Sequence, residues 1–310
     1  MEKSKDRNRR RVRAAAATSV VLALLLAGCG TGGDGGDPPT DDAAAGTPSE
    51  DVSGDLEALE DEFDARVGVV AFDLQDGRRV EHRGDERFGY ASTLKGFVAA
   101  ALLDATDEED RGERVGWSQA DIDAAGYSPV TEEALGEGAT LDELAEALVR
   151  ESDNTATNLV LDRLGGPSGL EEVLRQAGDD ETNVDAVEPG INDVTPGDPA
   201  NTTTPAAFAD LLGSIVEGSW LEPADRDQLL DWMSGNATGD PLVRAGAPDG
   251  WTVADKSGGA GPRRGDVALV MPPGREPIVL VVLTERNDLS ADYDDALVAE
   301  AAAVVLGALD

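Results

Sequence analysis

The 310 residues predict an α/β (α+β) fold, with an antiparallel five-stranded sheet flanked by terminal helices and an all-helical lobe inserted between its strands. Three observations lead there. Strand-like runs fall only near the two ends of the body, and helical periodicity fills the middle. Apolar residues make up 40% of the chain, enough for a full core.

The chain begins outside that fold. Lys3, Lys5, Arg7, Arg9, Arg10, Arg11 and Arg13 precede an apolar run of 15 residues from Ala14 to Gly28. That is short of the roughly 18 a spanning helix needs, so residues 1–28 read as an export signal. Cys29 directly follows Leu26-Ala27-Gly28, which is similar to the bacterial lipoprotein signal, where the cysteine is lipidated and becomes the mature N-terminus. The expected location is the outer face of the cytoplasmic membrane of a Gram-positive bacterium, or the medium if Cys29 carries no lipid. Arg9-Arg10 leaves both general and twin-arginine export open. Residues 29–54, rich in Gly, Asp, Pro and Thr, read as a flexible tether.

The body spans 55–310. A strand from Arg66 to Leu74 meets Asp76-Gly77, the positive-φ residues of a hairpin returning through Arg79 to Arg83. Helical spacing marks Leu141–Arg150, Thr155–Leu164, Gly169–Gln176, Pro205–Val216 and Ala224–Met233. Short β-branched runs at Trp251–Ala254, Val267–Met271 and Ile278–Thr284 supply the other strands, and Ser290 is placed to cap a last helix reaching Leu309. The expected sheet lobe is about 55–85 with 250–310, the helical lobe about 86–249, and a site belongs in the cleft between them.

Composition excludes several chemistries. With 25 Lys+Arg against 63 Asp+Glu the net charge is −38, and loss of residues 1–28 leaves 18 against 61, or −43. Phosphate backbones repel such a surface, so no nucleic-acid partner is expected. The acidity reads as solvated surface, as in proteins from salty or high-G+C organisms. Membrane contact is expected only through the lipid, and the chain is expected to be a monomer. One cysteine and one histidine exclude thiolate and imidazole metal sites and any internal disulfide, so no metal and no cofactor is expected. His82, distant in sequence from every motif, is expected at an exposed or edge position.

Lysine usage gives the sharpest clue. The chain has four lysines, and only Lys95 and Lys256 remain once the signal is removed. Arginine serves elsewhere, so these two are places where an ammonium, able to lose its proton or act as a compact charge, is needed. Each has a serine close by, in Ser92-Thr93-Leu94-Lys95 and in Lys256-Ser257-Gly258. On a helix beginning near Ser92, positions i and i+3 share a face, so the Lys95 amine can serve Ser92 as base, the logic of covalent catalysis without histidine. Ser152-Asp153-Asn154 falls between helical segments, with Asp153 expected to bond backbone.

These three motifs, in this order, resemble the signature of class A serine β-lactamases and penicillin-binding proteins, with Ser257 in place of a threonine. The resemblance to the class A serine β-lactamase family covers most of residues 55–310. It takes in Glu86 through Ser92, Tyr127-Ser128-Pro129-Val130, Gly165-Gly166-Pro167, and the stretch from Trp232 to Lys256. Glu188-Pro189-Gly190-Ile191-Asn192 discriminates most, because in that family the glutamate and asparagine hold the water that hydrolyses the acyl-enzyme.

The resemblance implies a β-lactamase/transpeptidase-like fold, a β-lactam substrate, no cofactor, and a role for each residue. Ser92 attacks the lactam carbonyl, activated by Lys95 or by Glu188 through a water. Nearby cations are expected to depress the Lys95 pKa. Ser152 relays a proton to the leaving nitrogen, with Lys256 beside it. The N–H groups of Ser92 and Gly259 form the oxyanion hole. Asn154 binds the substrate's amide side chain, Ser257 and Arg264 its carboxylate, with Arg263 a rival for Arg264, while Gly258 and Tyr127 line the cleft. The resemblance also implies an arginine–aspartate ion pair closing the Glu188 loop, yet Ala186 and Asn201 stand there, and a more mobile loop is expected. Two other functions stay open: a penicillin-binding peptidase that acylates without clearing, and a non-hydrolysing surface lipoprotein.

Overall fold

The computed structural model describes residues 52–310. The signal at 1–28, Cys29 and the tether up to residue 51 lie outside the described residues. Helix α1 (Ser53–Phe63) takes in the last residues assigned to the tether and runs into strand β1 (Ala65–Asp73). The hairpin closes with Gly77 at φ 73°, and β2 (Arg79–His82) returns as the edge strand. His82 sits on that edge, partly buried, with Nε2 3.4 Å from Glu60 Oε1.

The chain then leaves the sheet. The major helices of the middle are α2 (Lys95–Ala105), α3 (Leu141–Arg150), α4 (Asn154–Leu164), α5 (Pro167–Gln176), α6 (Pro205–Val216) and α7 (Pro223–Ser234). Strands β3 (Thr252–Ala260), β4 (Arg263–Met271) and β5 (Ile278–Arg286) complete an antiparallel sheet of order β2-β1-β5-β4-β3, and α8 (Asp295–Leu309) ends the chain.

Both faces of the sheet are covered, which explains why β5 is an unbroken apolar run instead of an alternating one. Leu280 and Val282 pack with Leu56 of α1 and Leu306 of α8, while Val279, Val281 and Leu283 join the core of the helical middle. Helix α6 spans the two parts of the chain, since Phe208 and Leu212 of the middle pack in the same core as those β5 residues.

Three elements differ from expectation. Strands β3 and β4 run longer, because Asp255, Lys256, Ser257 and Asp266 are polar yet buried and paired into the ladder, which hides them from an apolar pattern. Ser290 does not cap the last helix. Its N–H and hydroxyl both donate to Asp288 Oδ1, and Asp294 caps α8 by accepting from the Ala296 N–H.

Candidate active site

Ser92 lies in a 3-10 turn, Ala91–Leu94, that passes directly into α2 at Lys95. Ala91 has φ 45°, a conformation that costs a side chain about 1 kcal/mol or more and tends to mark functional turns. Strand β3 crosses closely over this turn. A Cβ on Gly258 would stand 2.9 Å from the Ser92 N and 2.6 Å from the Thr93 N, so only glycine lets the backbones approach. The same strand carries Lys256 to the floor of the cleft.

Ser152 reaches the site through another left-handed residue, at φ 58°, between α3 and α4. Asp153 next to it bonds backbone, as its type predicts. It caps α4 by accepting from the Ala156 N–H and also accepts from the N–H groups of Val130 and Thr131. Asn154 points into the cleft and donates through Nδ2 to Ala125 O.

The Lys95 ammonium is the hub. Its Nζ donates to Ser152 O at 2.7 Å and Asn154 Oδ1 at 2.6 Å, lies 2.9 Å from Glu188 Oε1, and stands 3.4 Å from Ser152 Oγ. Burial drives its pKa below the usual lysine range, while the Glu188 carboxylate pulls it back. The depression expected from neighbouring cations therefore has burial as its cause. Cationic repulsion acts on the partner instead. Lys256 is held down to about 7 first by burial and then by Lys95. Its Nζ donates to Ser257 O at 2.7 Å and to Ser152 Oγ at 3.3 Å, so the Ser152 hydroxyl lies between two amines.

Behind Lys256, Arg244 pairs with buried Asp255, and Asn236 Nδ2 donates to the same carboxylate. Asp266 is pushed well above the ordinary carboxylate range by burial and by the charge of Asp255.

Glu188 arrives on a loop between α5 and α6. Asn158 of α4 grips its backbone from both sides, accepting from the Glu188 N–H at 2.8 Å and donating to Glu188 O at 2.9 Å. Asn192 Nδ2 donates to Glu188 Oε2 at 3.2 Å. The positions where an ion pair would close the loop hold a neutral clasp. Asn201, buried, accepts from the Asp185 N–H at 3.0 Å and the Tyr90 hydroxyl at 3.3 Å, and donates to Gly190 O and Asp193 O. The loosening expected from Ala186 and Asn201 is thus opposed by four hydrogen bonds from one amide.

A cleft of about 280 Å³ brings together Ser92, Ser152, Glu188, Ser257, Gly259 and Arg264. Tyr127, Asn154, Asn192 and Gly258 complete the expected set around it, and Lys95 and Lys256 lie buried beneath. Arg263 lies outside this cleft. Two lining residues were missed in the sequence: Thr238, whose hydroxyl is 2.6 Å from Ser257 Oγ, and Tyr293, whose ring lies 4.8 Å from the Arg264 guanidinium. Thr238 falls in the Trp232–Lys256 stretch that resembles the family, though no role is read for it there, whereas nothing in the local sequence marks Tyr293, which the fold alone brings to the cleft. Among the described residues no group of three His, Cys, Asp or Glu side chains is placed to hold a metal ion.

Comparison with known proteins shows the family and the fold. The Beta-lactamase enzyme family matches residues 51–309. A β-lactamase of Bacillus licheniformis is 43% identical over 261 residues, covering 84% of this chain and 84% of its own length. Beta-lactamase 1 of Streptomyces cacaoi is 44% identical over 269 residues, covering 82% and 83%. The crystal structure of a class A β-lactamase from Clostridium kluyveri superposes with a TM-score of 0.80 at 39% identity, covering 83% of this chain and 98% of that one. Sequence and fold thus agree, and the chain belongs to the Beta-lactamase enzyme family, within class A.

Proposed function

We propose that this cleft hydrolyses the β-lactam ring of penicillin- and cephalosporin-type antibiotics through a serine acyl-enzyme, giving its host resistance. The observation that carries the reading is the Lys95–Glu188 contact at 2.9 Å, which joins a base for acylation to a base for deacylation in one buried pair.

Ser92 Oγ attacks the lactam carbonyl and loses its proton to the Lys95–Glu188 pair. The carbonyl oxygen takes up negative charge facing the N–H groups of Ser92 and Gly259, where losing one donor costs about 3 to 4 kcal/mol. As the C–N bond breaks, Ser152 gives its proton to the leaving nitrogen and regains one from the amines beside it. A water then attacks the ester, and Glu188, oriented by Asn192, takes its proton while Ser92 Oγ leaves and is reprotonated. Lys256, Ser257, Thr238 and Arg264 supply the positive and hydroxyl-lined end that an anionic substrate needs in so acidic a protein. Asn154 binds the amide side chain and Tyr127 walls the cleft.

The same proposal extends to the segment before the body. Residues 1–28 direct export, Cys29 takes the lipid, and a tether places a monomeric enzyme on the outer face of the cytoplasmic membrane. No helix among the described residues is long and apolar enough to cross a membrane.

Time-resolved intact mass after mixing with benzylpenicillin, following adduct and free drug together, tests the hydrolytic reading. A transient adduct with many equivalents of drug converted to the ring-opened acid is expected. An adduct that persists over an intact drug pool supports the penicillin-binding reading, and no adduct with unchanged drug overturns both.

A further inference from the structure

We propose that Arg263 is a positioning residue for the loop that carries Glu188, holding the loop's far arm to the sheet through the Val194 carbonyl. Successive side chains of a strand take opposite faces, so the neighbours Arg263 and Arg264 on β4 part company. Arg264 enters the cleft, with its Nε donating to Asp295 Oδ1 at 2.6 Å. Arg263 runs to the other side, beneath the loop.

Three contacts fix Arg263 there. Its Nε donates to Glu285 Oε2 at 2.6 Å, and Arg66 binds the other oxygen of the same carboxylate at 3.1 Å. Its stem lies flat on Gly89, where a Cβ would stand 2.6 Å from the Arg263 Cδ and 3.0 Å from a Val194 methyl. Its Nη2 then donates to Val194 O at 3.3 Å. One buried side chain thus joins β5, the backbone three residues before Ser92, and the loop two residues beyond Asn192.

The packing there makes this link matter. The arm from Val194 to Pro199 stands beside a cavity of about 530 Å³ bounded on its far side by Arg66, Arg87 and Arg263. Apolar contact is therefore thin where the arm meets the sheet, and polar links must set its position. The arm's other hydrogen bonds run within the loop or to Asn183 and Thr202. Among the described residues Arg263 carries the arm's link to the five-stranded sheet, which makes the Glu188 carboxylate's distance from Ser92 depend on it.

This inference rests on the hydrolytic reading for its kinetic test and on hydrogen exchange for an independent one. Arg263→Met keeps the stem on Gly89 and removes the guanidinium. The deacylation rate constant for benzylpenicillin, per titrated active site, is expected to fall at least fivefold, with kcat and KM falling together once deacylation limits turnover. Loss of folded protein alone lowers the titrated sites and leaves that constant and KM in place. Peptides covering 188–199 are expected to exchange faster while those of 141–164 do not. A fall of less than fivefold, or unchanged exchange over 188–199, overturns the proposal. Should the Met variant fail to fold, Arg263→Gln is measured against the same limits. If the unsubstituted protein does not turn over penicillin, the functional reading fails alone, and the exchange result still judges Arg263.

Discussion

Lys95 Nζ lies 2.9 Å from Glu188 Oε1, with both side chains buried, so a proton can pass directly between the two. A proton taken from Ser92 can sit on either partner. The carboxylate is then available as a base when water arrives, provided Asn158 and Asn192 hold it in place.

Replacing Glu188 separates the two halves of the reaction. Glu188→Gln keeps the size and a hydrogen-bonding end but removes the base. Deacylation is expected to slow by about 10²- to 10⁴-fold, the usual worth of a positioned general base. Intact mass should show a persistent benzylpenicillin adduct on Ser92. A variant that clears the adduct at the original rate would remove Glu188 from the mechanism.

The buried lysine beneath the cleft writes a pH dependence into stability. Lys256 titrates at about 7 in the folded state and at about 10.4 unfolded. Between those values the unfolded chain holds a proton that the native one has lost, so stability rises with pH across the window and is lowest below it. The slope from this residue approaches about 1.4 kcal/mol per pH unit. Lys256→Met removes the proton site, so urea midpoints from pH 7 to 10 should rise in the parent relative to the variant. Parallel curves would show that Lys256 titrates outside this window.

How much of this was legible follows from sequence distance. Ser92–Lys95 and Ser152–Asn154 are each local, so spacing alone could pair them, and the scarcity of lysine singled out Lys256. Helices such as Leu141–Arg150 were readable because one face is apolar. The buried stretch Asp255–Ser257 was not readable as strand, because its polar residues are satisfied by Arg244, Asn236 and Ser152 from elsewhere in the chain. Tyr90 and Asn201 stand 111 residues apart, and no pattern in either segment announces their bond. The parting of Arg263 from Arg264 needed the register of β4 against β5.

Arg264 should matter through the substrate's charge. Asp295 fixes its Nε and the Tyr293 ring lies over its guanidinium, leaving its remaining donors for a carboxylate. A charge-assisted hydrogen bond contributes about 1.5 to 3 kcal/mol, so Arg264→Ala should lower kcat/KM for benzylpenicillin by roughly 10- to 100-fold, chiefly through KM. A penicillin ester, lacking the anion, should lose less than threefold. Equal losses for acid and ester would place the effect in the fold of the cleft.

The amide of Asn201 gives the last prediction. Its nitrogen donates to the carbonyls of Gly190 and Asp193, and its oxygen accepts from Asp185 and Tyr90. Asn201→Asp keeps the acceptor but turns a carboxylate oxygen toward those two carbonyls. The new charge is buried, and Ala186 offers it no arginine. Breaking both donated bonds and leaving an unpaired buried charge should cost on the order of 3 kcal/mol, seen as a lower urea midpoint and faster hydrogen exchange over 185–201. Adding Ala186→Arg to the variant supplies the missing cation and should recover at least half of that loss, a coupling that a double-mutant cycle measures. The unsubstituted loop, clasped at its neck by a neutral amide, should be as protected as the flanking helices and keep that protection in high salt. If Asn201→Asp is harmless, or if salt alone loosens the parent loop, the neutral clasp is not what holds Glu188 in place.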